Sequence, residues 1–158
     1  MSKNITFARN LVKGKIAETI FAQMLRETKE FTVLEFGYEK IVPELVQSGY
    51  DENKGTLEIL RTSPDFAVIN KITKEVRLIE VKYLHHLDKE YVYRYASRMA
   101  ESWNPSFLFL ATQDGFYFGE VSVITENKGE ISPLNHPQIS KEIQEEYLKI
   151  LRDFEANN

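Results

Sequence analysis

Two periodicities of apolar residues run along this chain. A helical repeat of apolar side chains predicts helices over residues 6–27, 87–103 and 140–154. Short apolar or alternating runs predict strands over residues 31–39, 57–70 with a break at the proline in position 64, 76–84, 106–112 and 116–124. The order is helix, three strands, helix, two strands and helix. This order predicts an α/β fold, with a mixed sheet and helices on its two faces.

The most regular strand pattern is VRLIEVKYL, residues 76–84, which a short turn joins to residues 65–70. We expect these two segments to form an antiparallel hairpin. Alternation places Glu80 and Lys82 on one face of the strand, about 7 Å apart. Burial of either charge without a partner is unfavourable, so both need a compensating group. A solvated strand face, or a cross-strand ion pair with Asp65, is the structural alternative.

Two further acidic residues stand where the pattern predicts apolar ones. Glu18 shares a helical stripe with Phe21, on the face that should pack against the sheet. Asp65 follows Pro64 and precedes Glu80 by fourteen intervening residues, which suits two strands and a tight turn. We therefore expect the Asp65 and Glu80 carboxyl groups within about 5 Å of each other, near enough to share one ion. Glu18 should approach from the helix packed over the same face.

Three converging carboxylates repel one another unless a cation neutralises them. All-oxygen coordination suits a hard ion such as Mg²⁺ or Mn²⁺. A metal there can orient water and stabilise the charge that develops on a phosphodiester. Lys82, beside the carboxylates, can hold that water or stabilise the transition-state phosphate. The candidate catalytic set is Glu18, Asp65, Glu80 and Lys82.

These motifs resemble a known signature. Pro64-Asp65 followed by Glu80-Val81-Lys82 closely resembles that of the PD-(D/E)xK nuclease superfamily, and the GKIAE segment ending at Glu18 is similar to its first helix. The similarity covers about residues 13–112. It implies a restriction-endonuclease-like mixed sheet of about five strands flanked by helices on both faces. It also implies metal ligation by Asp65, Glu80 and the Val81 carbonyl, with Glu18 acting directly or through water, and Lys82 in catalysis.

The resemblance implies DNA as the partner, and basic residues suggest where DNA would bind. Lys13 and Lys15 lie near Glu18, and Arg94 and Arg98 recur at helical spacing beside tyrosines. Lys13 and Lys15 are equally consistent with solvated helix charges. The alternative for the second helix is that its tyrosine rings lie in the core, with Arg94 and Arg98 at the rim. The net charge of −4 argues mildly against tight DNA binding, because phosphate neutralisation supplies most non-specific affinity.

Length and composition set the remaining limits. With 158 residues, 42% of them hydrophobic, the chain suits a single domain over residues 1–158. It contains no cysteine, which excludes disulfides and thiolate metal sites and fits a reducing cytoplasm. No apolar run reaches membrane-spanning length, so we expect a soluble cytoplasmic protein. His85 and His86 invite a metal interpretation, but a surface role fits better, because adjacent strand residues point to opposite faces.

The sequence therefore predicts a Mg²⁺- or Mn²⁺-dependent deoxyribonuclease that hydrolyses phosphodiester bonds through activated water. Small members of the superfamily are often homodimers, so a homodimer is possible on this analogy. One alternative is a catalytically inactive nuclease-fold protein that binds nucleic acid or acts as a scaffold. A second is a protein-interaction module in which Asp65, Glu80 and Lys82 form only a salt-bridged cluster.

Overall fold

A computed structural model describes residues 3–36 and 62–156 of the chain. In these ranges the helices are α1 (Lys3–Glu27), α2 (Lys89–Ser102), α3 (Val121–Glu126) and α4 (Lys141–Ala156). The strands are β1 (Phe31–Glu35), β2 (Phe66–Asn70), β3 (Val76–Tyr83), β4 (Phe107–Thr112), β5 (Gly115–Glu120) and β6 (Ser132–Pro133). No helix in the described part is both long and apolar enough to cross a membrane.

The strands form one mixed sheet in the order β1-β2-β3-β4-β5-β6. All neighbouring pairs are antiparallel except β3 and β4, which are parallel and are connected through α2. The α/β class is therefore confirmed. The described residues contain six strands instead of about five, because the two-residue β6 adds to the edge of β5.

The strand predicted over residues 116–124 is wrong in its second half. β5 ends at Glu120, and residues 121–126 form α3. Val121 and Ile124, three residues apart, are both buried there, and the Val121 N–H donates to the Ser106 carbonyl at 3.0 Å. Packing at helical spacing has overridden the strand preference of β-branched residues. Residues 37–39 and 57–60, also predicted as strand, lie outside the described residues.

Polar side chains mark the starts of two predicted helices. Asp88 precedes α2, and its side chain accepts a hydrogen bond from the Tyr91 N–H at 3.2 Å, so the helix begins at Lys89 and not at residue 87. Ser140 precedes α4, and its Oγ accepts from the Ile143 N–H at 3.2 Å. The N-cap predicted at Ser140 is confirmed.

Two apolar cores use opposite faces of β4. Phe109 and Ala111 belong to a core built with α1 and α4, whereas Leu108 and Leu110 belong to a core built with α2 and α3. All four side chains are at most 1% exposed. Burial of each large apolar side chain contributes about 1.5–3 kcal/mol. β4 is therefore buried on both faces, and its pairing with β3 fixes the backbone that carries the polar residues of β3.

Candidate active site

The candidate site forms where β2 separates from β3. The ladder between them ends at the pair Phe66 and Ile79, and continuing that register places Asp65 opposite Glu80. Residues directly opposite each other project to one face of a sheet. In place of a ladder bond, the Val81 N–H donates to the Asp65 carboxylate at 2.9 Å. The Val81 carbonyl faces the same side as its N–H, because both groups of a strand residue point to one neighbour.

The Asp65 carboxyl group is held in an environment that disfavours its charge. Burial, followed by a hydrogen bond with Glu80 and repulsion from its charge, raises the pKa of Asp65 from 3.8 to about 9. The Val81 N–H and the Lys82 charge oppose this shift only in part. Without a cation, the Asp65–Glu80 pair therefore holds a proton at neutral pH. A positive charge in place of that proton would relieve the same repulsion.

Tyr95, on α2, contacts both Glu80 and Lys82 of β3. Its hydroxyl donates to Glu80 Oε2 at 2.6 Å, and Glu80 is only 5% exposed. Burial and the Glu80 charge raise the pKa of Tyr95 well above its ordinary value, so the phenol remains a proton donor. Lys82 Nζ lies 4.4 Å from the centroid of the Tyr95 ring, a cation–π contact. Tyr91 stacks on Tyr95 with centroids 6.1 Å apart.

Glu18 does not lie where the sequence placed it. We expected α1 over the face that carries Glu80, but α1 packs on the other face, with Ile79 and Val81. Glu18 reaches the rim of the same cleft as Asp65 and Glu80, and its carboxylate is 3.7 Å from Lys15 Nζ. The error arose because a helical stripe shows which residues face a sheet but not which face of the sheet they meet.

The expected convergence of three carboxylates is accordingly not found. Among the described residues, no three His, Cys, Asp or Glu side chains are grouped closely enough to hold a metal ion. Asp65 and Glu80 are grouped as a pair. Two carboxylates and a backbone carbonyl are hard oxygen donors, and Mg²⁺ usually takes one or two protein carboxylates and completes its shell with water. The donor set at Asp65, Glu80 and Val81 thus fits a hard divalent cation.

The four basic residues predicted to contact DNA separate into two groups. Lys13 and Lys15 line the cleft that contains the acidic pair. Lys13 Nζ is 3.5 Å from Glu155 Oε1, and Lys15 is mostly exposed. Arg94 and Arg98 are exposed on α2, outside the lining of the cleft.

The two adjacent histidines follow β3 and are exposed, as expected. His85 Nδ1 is 3.0 Å from Glu155 Oε1, and His86 Nδ1 is 3.1 Å from Asp114 Oδ2. Each histidine therefore has its own carboxylate partner, which supports the surface role over a shared metal.

The position of Tyr95 beside Glu80 was not predicted from the sequence. The signal was present in part, because Tyr91 and Tyr95 flank the buried α2 stripe that contains Val92, Ala96 and Met99. Glu155 was not predicted at the site either, although its side chain is only 8% exposed and contacts both Lys13 and His85. No local pattern in α4 distinguishes this acid from its exposed neighbours.

Comparison of the chain with protein-family models, with curated proteins and with solved structures found no match. The functional assignment therefore depends on the chemistry of the residues themselves.

Proposed function

We propose that this protein is a Mg²⁺- or Mn²⁺-dependent nuclease with a restriction-endonuclease-like fold, related to the PD-(D/E)xK superfamily, that hydrolyses DNA phosphodiester bonds. One observation carries the proposal. Two carboxyl groups, Asp65 and Glu80, are held in contact on adjacent strands, and the pKa of Asp65 is raised to about 9 by burial and by Glu80. A fold rarely retains two carboxyl groups that repel each other unless a bound cation compensates the repulsion.

The surroundings of the pair support a catalytic role over a structural one. A salt-bridged cluster would place the Lys82 ammonium between the carboxylates, but Lys82 Nζ lies over the Tyr95 ring. The pair also borders an open cleft that Lys13, Lys15 and Lys82 line. A cleft with cations around a recessed acidic pair is complementary to a phosphodiester backbone with a bound metal ion.

The residues of the site then have separate roles. Asp65, Glu80 and the Val81 carbonyl would hold the cation, and the Val81 N–H fixes the orientation of the Asp65 carboxylate. The Tyr95 hydroxyl fixes Glu80 in the same way from the helix above. Both positioning bonds are made by elements of the folded core, so the acidic pair is preorganised.

A bound divalent cation would supply a polarised water and neutralise charge on the phosphate. Lys82 orients the attacking water or donates hydrogen bonds to the phosphate oxygens as negative charge develops on them. The Tyr95 ring holds the ammonium group beside the pair without neutralising it, because a π face offers no acidic oxygen. Lys13 and Lys15 contact flanking phosphates.

A second candidate follows from Glu18. Its carboxylate is near Lys15 and does not join Asp65 and Glu80, so the acidic pair has one carboxylate fewer than the resemblance implies. A catalytically inactive nuclease-fold protein that binds nucleic acid or acts as a scaffold would have such an incomplete set.

The test is a cleavage assay with purified wild type, Asp65→Asn and Asp114→Asn. The substrates are linear duplex, single-stranded and branched DNA, each incubated with Mn²⁺, Mg²⁺ or Ca²⁺. Asp114 is a matched control, because it is an exposed aspartate whose partner is His86. We expect wild type and Asp114→Asn to cleave DNA with Mn²⁺ or Mg²⁺, and Asp65→Asn to be inactive.

Equal activity in all three proteins would identify a contaminating nuclease and refute the assignment of the site. Binding of DNA by wild type without cleavage under every metal condition would favour the inactive alternative. If the protein neither binds nor cleaves DNA, the protein-interaction module becomes the better account.

A further inference from the structure

A second cavity lies on the other face of β3 from Glu80. It occupies about 170 Å³ between the sheet and the segment 134–139. Arg77 and Ile79 of β3 line it. Side chains alternate along a strand, so these two residues point to the opposite face from Glu80 and Lys82. The cavity is therefore separate from the candidate active site, and the inference drawn from it does not depend on the proposed nuclease activity.

The walls of this cavity are mainly apolar, and four phenylalanine rings lie among them. They include Phe21, Phe31, Phe109, Phe118, Leu134 and Ile139. A cavity of about 150 Å³ lined by Leu, Ile and Phe in another protein stays dry and binds benzene. At 170 Å³, the present cavity has room for a single six-membered ring with a small substituent.

The polar residues at the mouth are already paired with one another. The Asn70 and Gln138 side chains exchange two hydrogen bonds, of 2.7 and 3.2 Å. The Arg77 guanidinium donates to Glu75 Oε2 at 3.1 Å. The Arg77 and Glu75 charges already compensate each other, so a charged ligand gains little at the mouth, whereas a neutral ligand leaves both pairs intact.

His136 completes the mouth as a neutral donor. Its Nδ1 accepts a hydrogen bond from the Gln138 N–H at 3.1 Å, which leaves the proton of the neutral ring on Nε2. Burial, followed by the positive charge of Arg77, lowers the pKa of His136. The ring also meets Phe31 edge to face, with centroids 5.6 Å apart. The mouth thus offers aromatic contact and one N–H donor, but no unpaired charge.

From this geometry we infer that the cavity is a binding site for a small neutral aromatic molecule of one ring. The ring lies among Phe21, Phe31, Phe109 and Phe118, and its substituent points towards His136. Val68 of β2 and Ile79 of β3 both line the cavity, so a bound ring packs against the hairpin that carries Asp65 and Glu80. Occupancy stabilises the folded state by mass action.

The test uses toluene and phenol as neutral probes and benzoate and benzylamine as charged controls. Melting temperature and ¹H–¹³C NMR shifts of the full chain are measured with each compound. We expect the neutral probes to raise the melting temperature by about 3–6 °C at ten times Kd, with the charged compounds producing less than a third of that shift. The NMR shift changes should centre on Phe31, Phe118 and Ile139.

Two matched variants locate the binding. Val68 and Val33 are Cα partners on adjacent strands of one core, but only Val68 lines the cavity. Val68→Phe should fill the cavity and abolish the toluene-induced shift, whereas Val33→Phe should retain it. The inference is overturned if no neutral probe changes the NMR shifts of the three cavity residues, if benzoate binds as tightly as toluene, or if Val68→Phe binds toluene like wild type. If Val68→Phe does not fold, the NMR map of the wild-type protein decides the matter alone.

Discussion

Replacement of Asp65 by asparagine should stabilise the metal-free protein, although it removes a residue of the candidate active site. Asparagine has the size of aspartate, and its side-chain oxygen can still accept from the Val81 N–H that now donates to Asp65 at 2.9 Å. Its amide group can also donate to Glu80, in the place of the proton that the wild-type pair must hold. The variant therefore keeps the local hydrogen bonds and removes the like charge.

The magnitude follows from the pKa of Asp65, which is 3.8 ordinarily and about 9 in the fold. A carboxyl group whose pKa is raised on folding binds more protons in the folded state, so the stability it contributes is complete below pH 3.8 and is lost as pH rises towards 9. At pH 8 the folded wild type keeps a proton that the unfolded chain has released, which at about 1.4 kcal/mol for each pH unit above 3.8 costs up to about 6 kcal/mol. Desolvation of the asparagine amide cancels part of the gain from removing this cost. We therefore expect Asp65→Asn to be more stable than wild type by about 2–4 kcal/mol at pH 8 and nearly equal to it at pH 4.

Thermal unfolding followed by circular dichroism between pH 4 and pH 9, with EDTA, measures this difference. The expected gain in melting temperature at pH 8 is roughly 5–15 °C for a domain of this size. Asp114→Asn serves as the control, because the Asp114 carboxylate is 59% exposed and its replacement should change stability by no more than about 0.5 kcal/mol. A gain for Asp65→Asn that is absent at pH 8, or as large at pH 4 as at pH 8, would refute the reasoning.

Three further substitutions test the roles of single residues. Lys82→Ala should lower the cleavage rate by about 10²–10³-fold, while DNA affinity measured by fluorescence anisotropy with Ca²⁺ changes much less. Tyr95→Phe removes the 2.6 Å bond to Glu80 but keeps the ring under Lys82, so it should destabilise the protein by about 1–3 kcal/mol in chemical denaturation, with Tyr91→Phe as control. Glu18→Gln should lower Mn²⁺ affinity less than tenfold in a calorimetric titration, because Glu18 is near Lys15 and not in the acidic pair.

The hairpin of the candidate site was predictable because its signals are local. The alternation in residues 76–84 showed which residues share a face with Glu80, and Pro64 indicated where the ladder between the two strands ends. The contact between Asp65 and Glu80 then followed from the number of residues in the two strands and the turn. β4 was also predictable, because a continuous apolar run is typical of a strand buried on both faces.

The other features of the fold and of the site depend on tertiary packing, which a local sequence pattern does not reveal. Glu18 was expected on the wrong face because the side of the sheet chosen by α1 depends on the whole topology. Residues 121–124 have strand propensity, yet they fold as a helix because Val121 and Ile124 must both reach the core beside α2. Tyr95 could be identified as a helical aromatic residue, but its hydrogen bond to Glu80 depends on how α2 crosses the sheet.

The most direct measurement is a calorimetric titration of the wild-type protein with Mn²⁺ at pH 7.5, performed in two buffers of different ionisation enthalpy. If Asp65 and Glu80 share a proton in the absence of metal, a cation that binds to this pair would displace that proton. We predict one Mn²⁺ per chain, with release of close to one proton, and loss of both binding and proton release in Asp65→Asn. Absence of Mn²⁺ binding to the wild-type protein, or equal binding and proton release in the variant, would contradict the assignment of a metal-dependent active site to this pair.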